Sequence, residues 1–178
     1  MKNYIRLAIL ALMLGLTLGP ARAQVPAVEG TVDYSFLNTW PGHGLGSYHT
    51  NGGGGQFTVS LPFAPVVGLT ADLQGSSGSK YTNSLFTYTF GPRVKFAIPE
   101  TIFEPFVEAL FGGATINANS GNYGVSRNAF AMLYGGGLDL RLSSHFAVRP
   151  FQLDYEYTNF TSQHQNGFRY QAGVQIRF

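Results

Sequence analysis

Thirteen charged side chains fall on the polar rows of stretches that alternate polar with apolar residues. They are Glu29, Asp33, Asp72, Arg93, Lys95, Glu104, Glu108, Asp139, Arg141, Asp154, Glu156, Arg169 and Arg177. Carboxylates close to guanidinium and ammonium groups can move protons, hold a metal or neutralise one another. Both signs occur here, and no histidine or cysteine shares the rows, so mutual neutralisation is the expected chemistry. Extended chain sends alternate side chains to opposite faces, so these residues would share one face. If that face is enclosed, each charge needs a partner. Folding neighbouring segments into hairpins predicts Glu156 opposite Arg169, and Lys95 near Glu104 with Arg141 one segment further on. Bringing the first and last segments together predicts Arg177 beside Glu29.

Other reactive residues are sparse. His164 with Ser162 could form a hydrolytic pair if Glu156 oriented the imidazole, but nothing in the spacing fixes that geometry. His43 and His49 share a glycine-rich segment with Trp40, and solvated histidines are the simpler reading. Asn159-Phe160-Thr161 matches a glycosylation pattern by composition alone. Phosphate-binding loops, zinc spacings and basic stripes are absent. The expectation is no catalytic residue, no metal and no cofactor.

Composition narrows the class. The chain has 178 residues and no cysteine, so disulfides and thiol chemistry are excluded. Residues 1–23 have the layout of a secretory signal peptide: Lys2 and Arg6, the apolar run Leu7–Leu18, and Ala21-Arg22-Ala23 before a cleavage point. Cleavage after Ala23 would remove Lys2, Arg6 and Arg22. The 11 basic residues then become 8 against 9 acidic ones, a net charge of −1. A nucleic-acid partner is therefore not expected. Residues 24–178 form one domain and lack an apolar run long enough for a membrane-spanning helix. Any spanning would be by strands.

Alternation predicts eight strands: Val28–Phe36, Gly52–Leu61, Val66–Gln74, Thr82–Phe96, Phe103–Ala114, Ala129–Leu142, Phe146–Tyr157 and Phe168–Phe178. The last is the most regular: Phe168, Tyr170, Ala172, Val174, Ile176 and Phe178 alternate with Arg169, Gln171, Gly173, Gln175 and Arg177. Pro150 leaves the facing of Arg149 open. The segments Asn38–Asn51, Gly75–Lys80, Thr115–Asn128 and Thr158–Gly167 read as loops at one end, with shorter turns at the other. An even strand count puts both termini on the side of the short turns. The fold class is all-β, an eight-stranded antiparallel up-and-down transmembrane β-barrel.

Periodicity does not say which face points out, since a lipocalin-like barrel would turn its apolar face inward. Aromatics near strand ends (Phe36, Phe57, Phe86, Phe96, Tyr155, Tyr157) fit interfacial girdles, and the sparsely charged polar face fits a crowded interior. The apolar face is therefore expected to meet lipid.

The stretches Phe90–Phe96, Pro105–Ala109, Gly135–Arg141, Val148–Tyr155 and Tyr170–Phe178 occur in an order that resembles the small outer-membrane β-barrel family. That family includes the OmpA transmembrane domain, the opacity proteins and short porin-family proteins. The resemblance implies a Gram-negative outer-membrane location with periplasmic termini. It also implies that the terminal strand (Tyr170, Ala172, Val174, Ile176, Phe178) is the signal read by the barrel-assembly machinery. Outer-membrane lipid and lipopolysaccharide are the implied surroundings, and the loops could meet an extracellular partner. The expected function is a non-enzymatic structural or surface-interaction barrel with a charge-filled lumen. A narrow channel is the second reading, and a lipid A-modifying enzyme the third.

Overall fold

The computed structural model describes residues 27–41, 47–77, 84–120, 123–160 and 163–178. The proposed signal peptide, His43 and Ser162 lie outside them. Eight strands follow in order: β1 (Val28–Pro41), β2 (Tyr48–Leu61), β3 (Ala64–Ser77), β4 (Ser84–Lys95), β5 (Phe103–Ser120), β6 (Tyr123–Arg141), β7 (Phe146–Phe160) and β8 (Gln163–Arg177). Each pairs antiparallel with its sequence neighbour, and β1 pairs with β8, so the sheet closes into a barrel. Among the described residues no helix is long and apolar enough to cross a membrane. The strands, at 12 to 19 residues, exceed the about 9–11 that a tilted membrane strand needs.

Side-chain direction decides between the two barrel types. Most large apolar side chains point outward: Val32, Leu69, Phe90, Val107, Phe151, Tyr170, Val174 and Ile176 are all exposed. The polar rows point inward and are buried. The lipocalin-like alternative has the opposite polarity and does not hold. Near the end remote from the termini, Tyr134, Tyr155, Phe168 and Trp40 form a run of ring contacts across β6, β7, β8 and β1, with centroids 5.0–5.6 Å apart. Such a run is an aromatic girdle.

The strands are longer than alternation indicated. Most of Asn38–Asn51, Thr115–Asn128 and Thr158–Gly167, expected as loops, is paired strand. Alternation marks only where one face meets an apolar medium. Beyond it, a ladder of Asn, Ser, Thr and Gly continues in water because backbone pairing does not require apolar side chains. At about 3.4 Å per residue, β5 with its 18 residues runs to roughly 60 Å. The β5–β6 hairpin therefore extends beyond the roughly 25 Å apolar band of an outer-membrane barrel.

One irregularity changes which residues face inward. On β8, Gly173 pairs with Arg149 and Gln171 with Gln152, so Pro150 and Phe151 together oppose the single residue Ala172. This is a β-bulge, placed where proline has no N–H to give the ladder. It inverts the parity of β7. Strict alternation from Gln152, Asp154 and Glu156 would have turned Arg149 to the outside; instead Arg149 is buried. Deleting Pro150 alone would leave Phe151 opposite Ala172 and Arg149 inward, but deleting Pro150 and Phe151 together joins Arg149 to the inward Gln152 and should either turn Arg149 toward lipid or force a slipped register. The expected result is loss of the heat-modifiable folded band on a detergent gel, because an arginine facing mid-bilayer lipid costs about 2–4 kcal/mol in addition to the ion pair it leaves behind.

Candidate functional site

Inward residues from all eight strands meet inside the barrel. The long side chains fit because glycines share their rows. On β6, a Cβ on Gly137 would lie 2.9 Å from the Phe106 ring and 2.6 Å from the Phe151 carbonyl oxygen, and one on Gly135 would lie 2.5 Å from Asp154 Oδ1. These close approaches are why β6 carries glycine where its neighbours carry bulk.

Toward the end that carries the termini, the ionic contacts form a continuous chain. Arg177 bonds Glu29 at 3.0 Å and also pairs with Glu104. Lys95 Nζ lies 2.6 Å from Glu29 and 2.7 Å from Asp139. Arg149 holds Asp139 with two nitrogens, at 2.7 and 3.2 Å. Arg93 Nε donates to Glu108 at 2.7 Å. The Phe106 ring lies between two guanidiniums, with Arg93 at 4.5 Å and Arg149 at 4.4 Å from its centroid. Cations are attracted to both faces of the ring. The amide oxygen of Gln56 accepts from both arginines, while its amide nitrogen donates to Asp72 at 2.8 Å.

Further along the axis, Arg169 lies 3.2 Å from Asp72 and 3.6 Å from Asp154. Gln152 links Glu108 and Asp154 through its amide nitrogen, at 2.8 and 2.7 Å. Gln74 donates to Asp33 at 2.7 Å. Beyond these, Leu37, Leu85, Ala114 and Ala131 form a buried apolar cluster. The interior is thus ionic toward the termini and apolar toward the far end.

The structure places twelve of the thirteen charged candidates in the buried interior. Arg141 sits at the rim with a side chain 30% exposed, 3.7 Å from Glu104. Arg177 meets Glu29, its register partner across the β1–β8 seam. Two expected pairings do not form. Arg169 is opposite Asp154, and Glu156 is opposite Gly167. The β7–β8 register is centred one residue earlier than the midpoint of the expected loop, which moves the partner by two. Lys95 is opposite Phe106, and its carboxylates are Glu29 and Asp139 rather than Glu104. A two-residue slip preserves the face of every side chain while changing its partner.

The sequence left the facing of Arg149 open at Pro150, and the structure turns it inward. Sequence reasoning passed over Gln56 and Gln152, whose amides can bond cations and carboxylates at once. Tyr170, Ala172, Val174, Ile176 and Phe178 all face outward, and Phe178 exchanges backbone hydrogen bonds with Val28.

The candidate hydrolytic group does not assemble. His164 stacks on Tyr157 on the outer face, whereas Glu156 is buried inside. His49 likewise stacks on Phe36, with ring centroids 5.7 Å apart. Among the described residues, no group of three or more His, Cys, Asp or Glu is arranged to hold a metal ion. Most of the described charged side chains of the interior neutralise one another in pairs.

Comparison with known proteins agrees with this architecture. The family described as the outer membrane protein beta-barrel domain matches residues 8–178. Among solved structures, Neisserial surface protein A (NspA) is similar with a TM-score of 0.74 at 12% identity, over 85% of this chain and 97% of that one. The N-terminal β-barrel domain of Pseudomonas aeruginosa OprF is similar with a TM-score of 0.55 at 13% identity, over 83% of this chain and 97% of that one. At these identities the likeness is one of fold. No curated protein sequence matches the chain.

Asp139, like Glu29, is bonded by two cations inside the barrel, in its case Lys95 and Arg149. Asp139→Ala should lower the urea-unfolding free energy of the refolded protein by about 3–5 kcal/mol, the cost of leaving buried charge unpaired. A change below about 1 kcal/mol, the scale of a solvated pair, would show that those cations reach water.

Proposed function

The chain belongs to the outer membrane protein β-barrel family, and from that premise we propose that it is a non-enzymatic outer-membrane barrel with a structural or surface-interaction role. Export would use residues 1–23 as a cleaved signal peptide, leaving 24–178 as the barrel with both termini in the periplasm. Outer-membrane lipid and lipopolysaccharide would cover the apolar outer rows. The hairpins at the far end, the β5–β6 pair above all, would be the surface offered to an extracellular partner. The terminal row Tyr170, Ala172, Val174, Ile176 and Phe178 would be read by the barrel-assembly machinery.

The observation that carries this reading is the cross-linked interior. Arg177 on β8 reaches Glu104 on β5, Lys95 on β4 reaches Glu29 on β1, and Arg169 on β8 reaches Asp72 on β3. These pairs cross the bore rather than run along the wall. An eight-stranded barrel is only wide enough for side chains to fill. We read the lumen as a charge-filled plug without a continuous water path, and among the described residues that line it no nucleophile stands beside a base.

Planar-bilayer recording of the purified protein tests the plug. The expected record is a closed baseline without long-lived steps, and a large, steady conductance would overturn it in favour of a channel. Lipid A from cells expressing the protein should be unchanged in mass, and a modification lost on His164→Ala would instead support an enzyme. Deleting Phe178 should reduce assembled protein in cells severalfold while leaving refolding in detergent largely intact. Equal loss in both assays would count against Phe178 as an assembly signal.

A further inference from the structure

Charge is unevenly compensated along the barrel axis. Toward the termini, Glu29, Glu104, Glu108 and Asp139 meet Arg93, Lys95, Arg149 and Arg177, so the signs balance. Further along, Asp33, Asp72, Asp154 and Glu156 are buried with the single guanidinium of Arg169. That guanidinium is engaged by Asp72 and Asp154. Oxygens without a hydrogen-bond donor from the protein occur in the same region: Asp33 Oδ2, Asp154 Oδ1 and Glu156 Oε2. A buried carboxylate without a donor is costly.

Among these carboxylates, Glu156 borders a cavity. Leu37, Leu85, Thr39, Thr158 and the β8 segment 165–167 line the rest of it, at the end of the barrel remote from the termini. It has room for about one water-sized occupant. Glu156 is only 3% exposed, and Thr39 and Thr158 are also buried. One carboxylate and two hydroxyls are hard oxygen donors suited to a hard cation. The burial of Glu156 strengthens its attraction for a cation.

We propose that this cavity is a binding site for a small monovalent cation, of the sodium, potassium or ammonium class, held by the carboxylate of Glu156 with the hydroxyls of Thr39 and Thr158. A divalent ion would need more carboxylates than the one that borders the cavity, and an organic amine would need more room. The bound charge offsets the excess of carboxylates around Arg169.

The test is the thermal unfolding midpoint of the refolded protein in detergent. It is read by heat-modifiability in sodium, potassium or ammonium chloride and in choline chloride at matched ionic strength. Choline is too large for the cavity. The wild-type midpoint should rise saturably with at least one small cation, by on the order of 3 °C per tenfold concentration above half-saturation. Glu156→Gln should abolish that dependence, while Glu100→Gln, in the exposed β4–β5 turn, should keep it. If Glu156→Gln does not fold, Thr158→Val takes its place and should raise the half-saturating concentration severalfold. Equal wild-type midpoints in all four salts would overturn the site. So would an undiminished cation response in Glu156→Gln, or an unchanged half-saturation in Thr158→Val.

Discussion

A closed ladder allows its side chains two directions, and everything else in this protein follows from that restriction. Within the apolar band, outward rows meet a medium that cannot satisfy polar groups, so they are aliphatic, aromatic or small. Inward rows meet only one another. An arginine on one strand therefore constrains the strand across the bore as much as its neighbours in the wall. Gly137 leaves room for Phe106, Phe106 separates Arg93 from Arg149, and Gln56 reaches both from the opposite side. No one of these residue choices stands without the others.

The fold was largely legible because its signal has period two. A strand such as β8 shows its two faces in eleven consecutive residues, and membership of the inward row survives any even slip in pairing. The same property hid the partners. Glu156 and Asp154 lie on one face, so alternation could not say which of them meets Arg169. The β7–β8 register decides that, and the flanking residues are too uniformly polar to reveal it. Arg149 was ambiguous for a different reason: a single extra residue at Pro150 reverses the parity of what precedes it. The outer reaches of β5 and β6 were read as loops because a ladder in water leaves no apolar imprint on its sequence.

Wall and interior divide the structural work. Backbone pairing fixes the order of the strands and their register, which are relations between neighbours. The ion pairs relate strands that never touch: β4 to β1 through Lys95 and Glu29, and β8 to β3 through Arg169 and Asp72. Charged groups enclosed in this way contribute little net stability compared with apolar packing. They do penalise a misaligned wall, since a shifted strand would carry its charge away from its counter-ion.

Arg177 belongs to both systems. It stands one residue from the chain end, pairs in register with Glu29 across the seam, and reaches Glu104 on the far wall. A barrel still open along that seam would hold Glu29 and Glu104 without this cation, so the seam and the ionic interior complete each other. Closure is thereby made cooperative. A half-fastened seam would leave enclosed charge unpaired, which favours full closure.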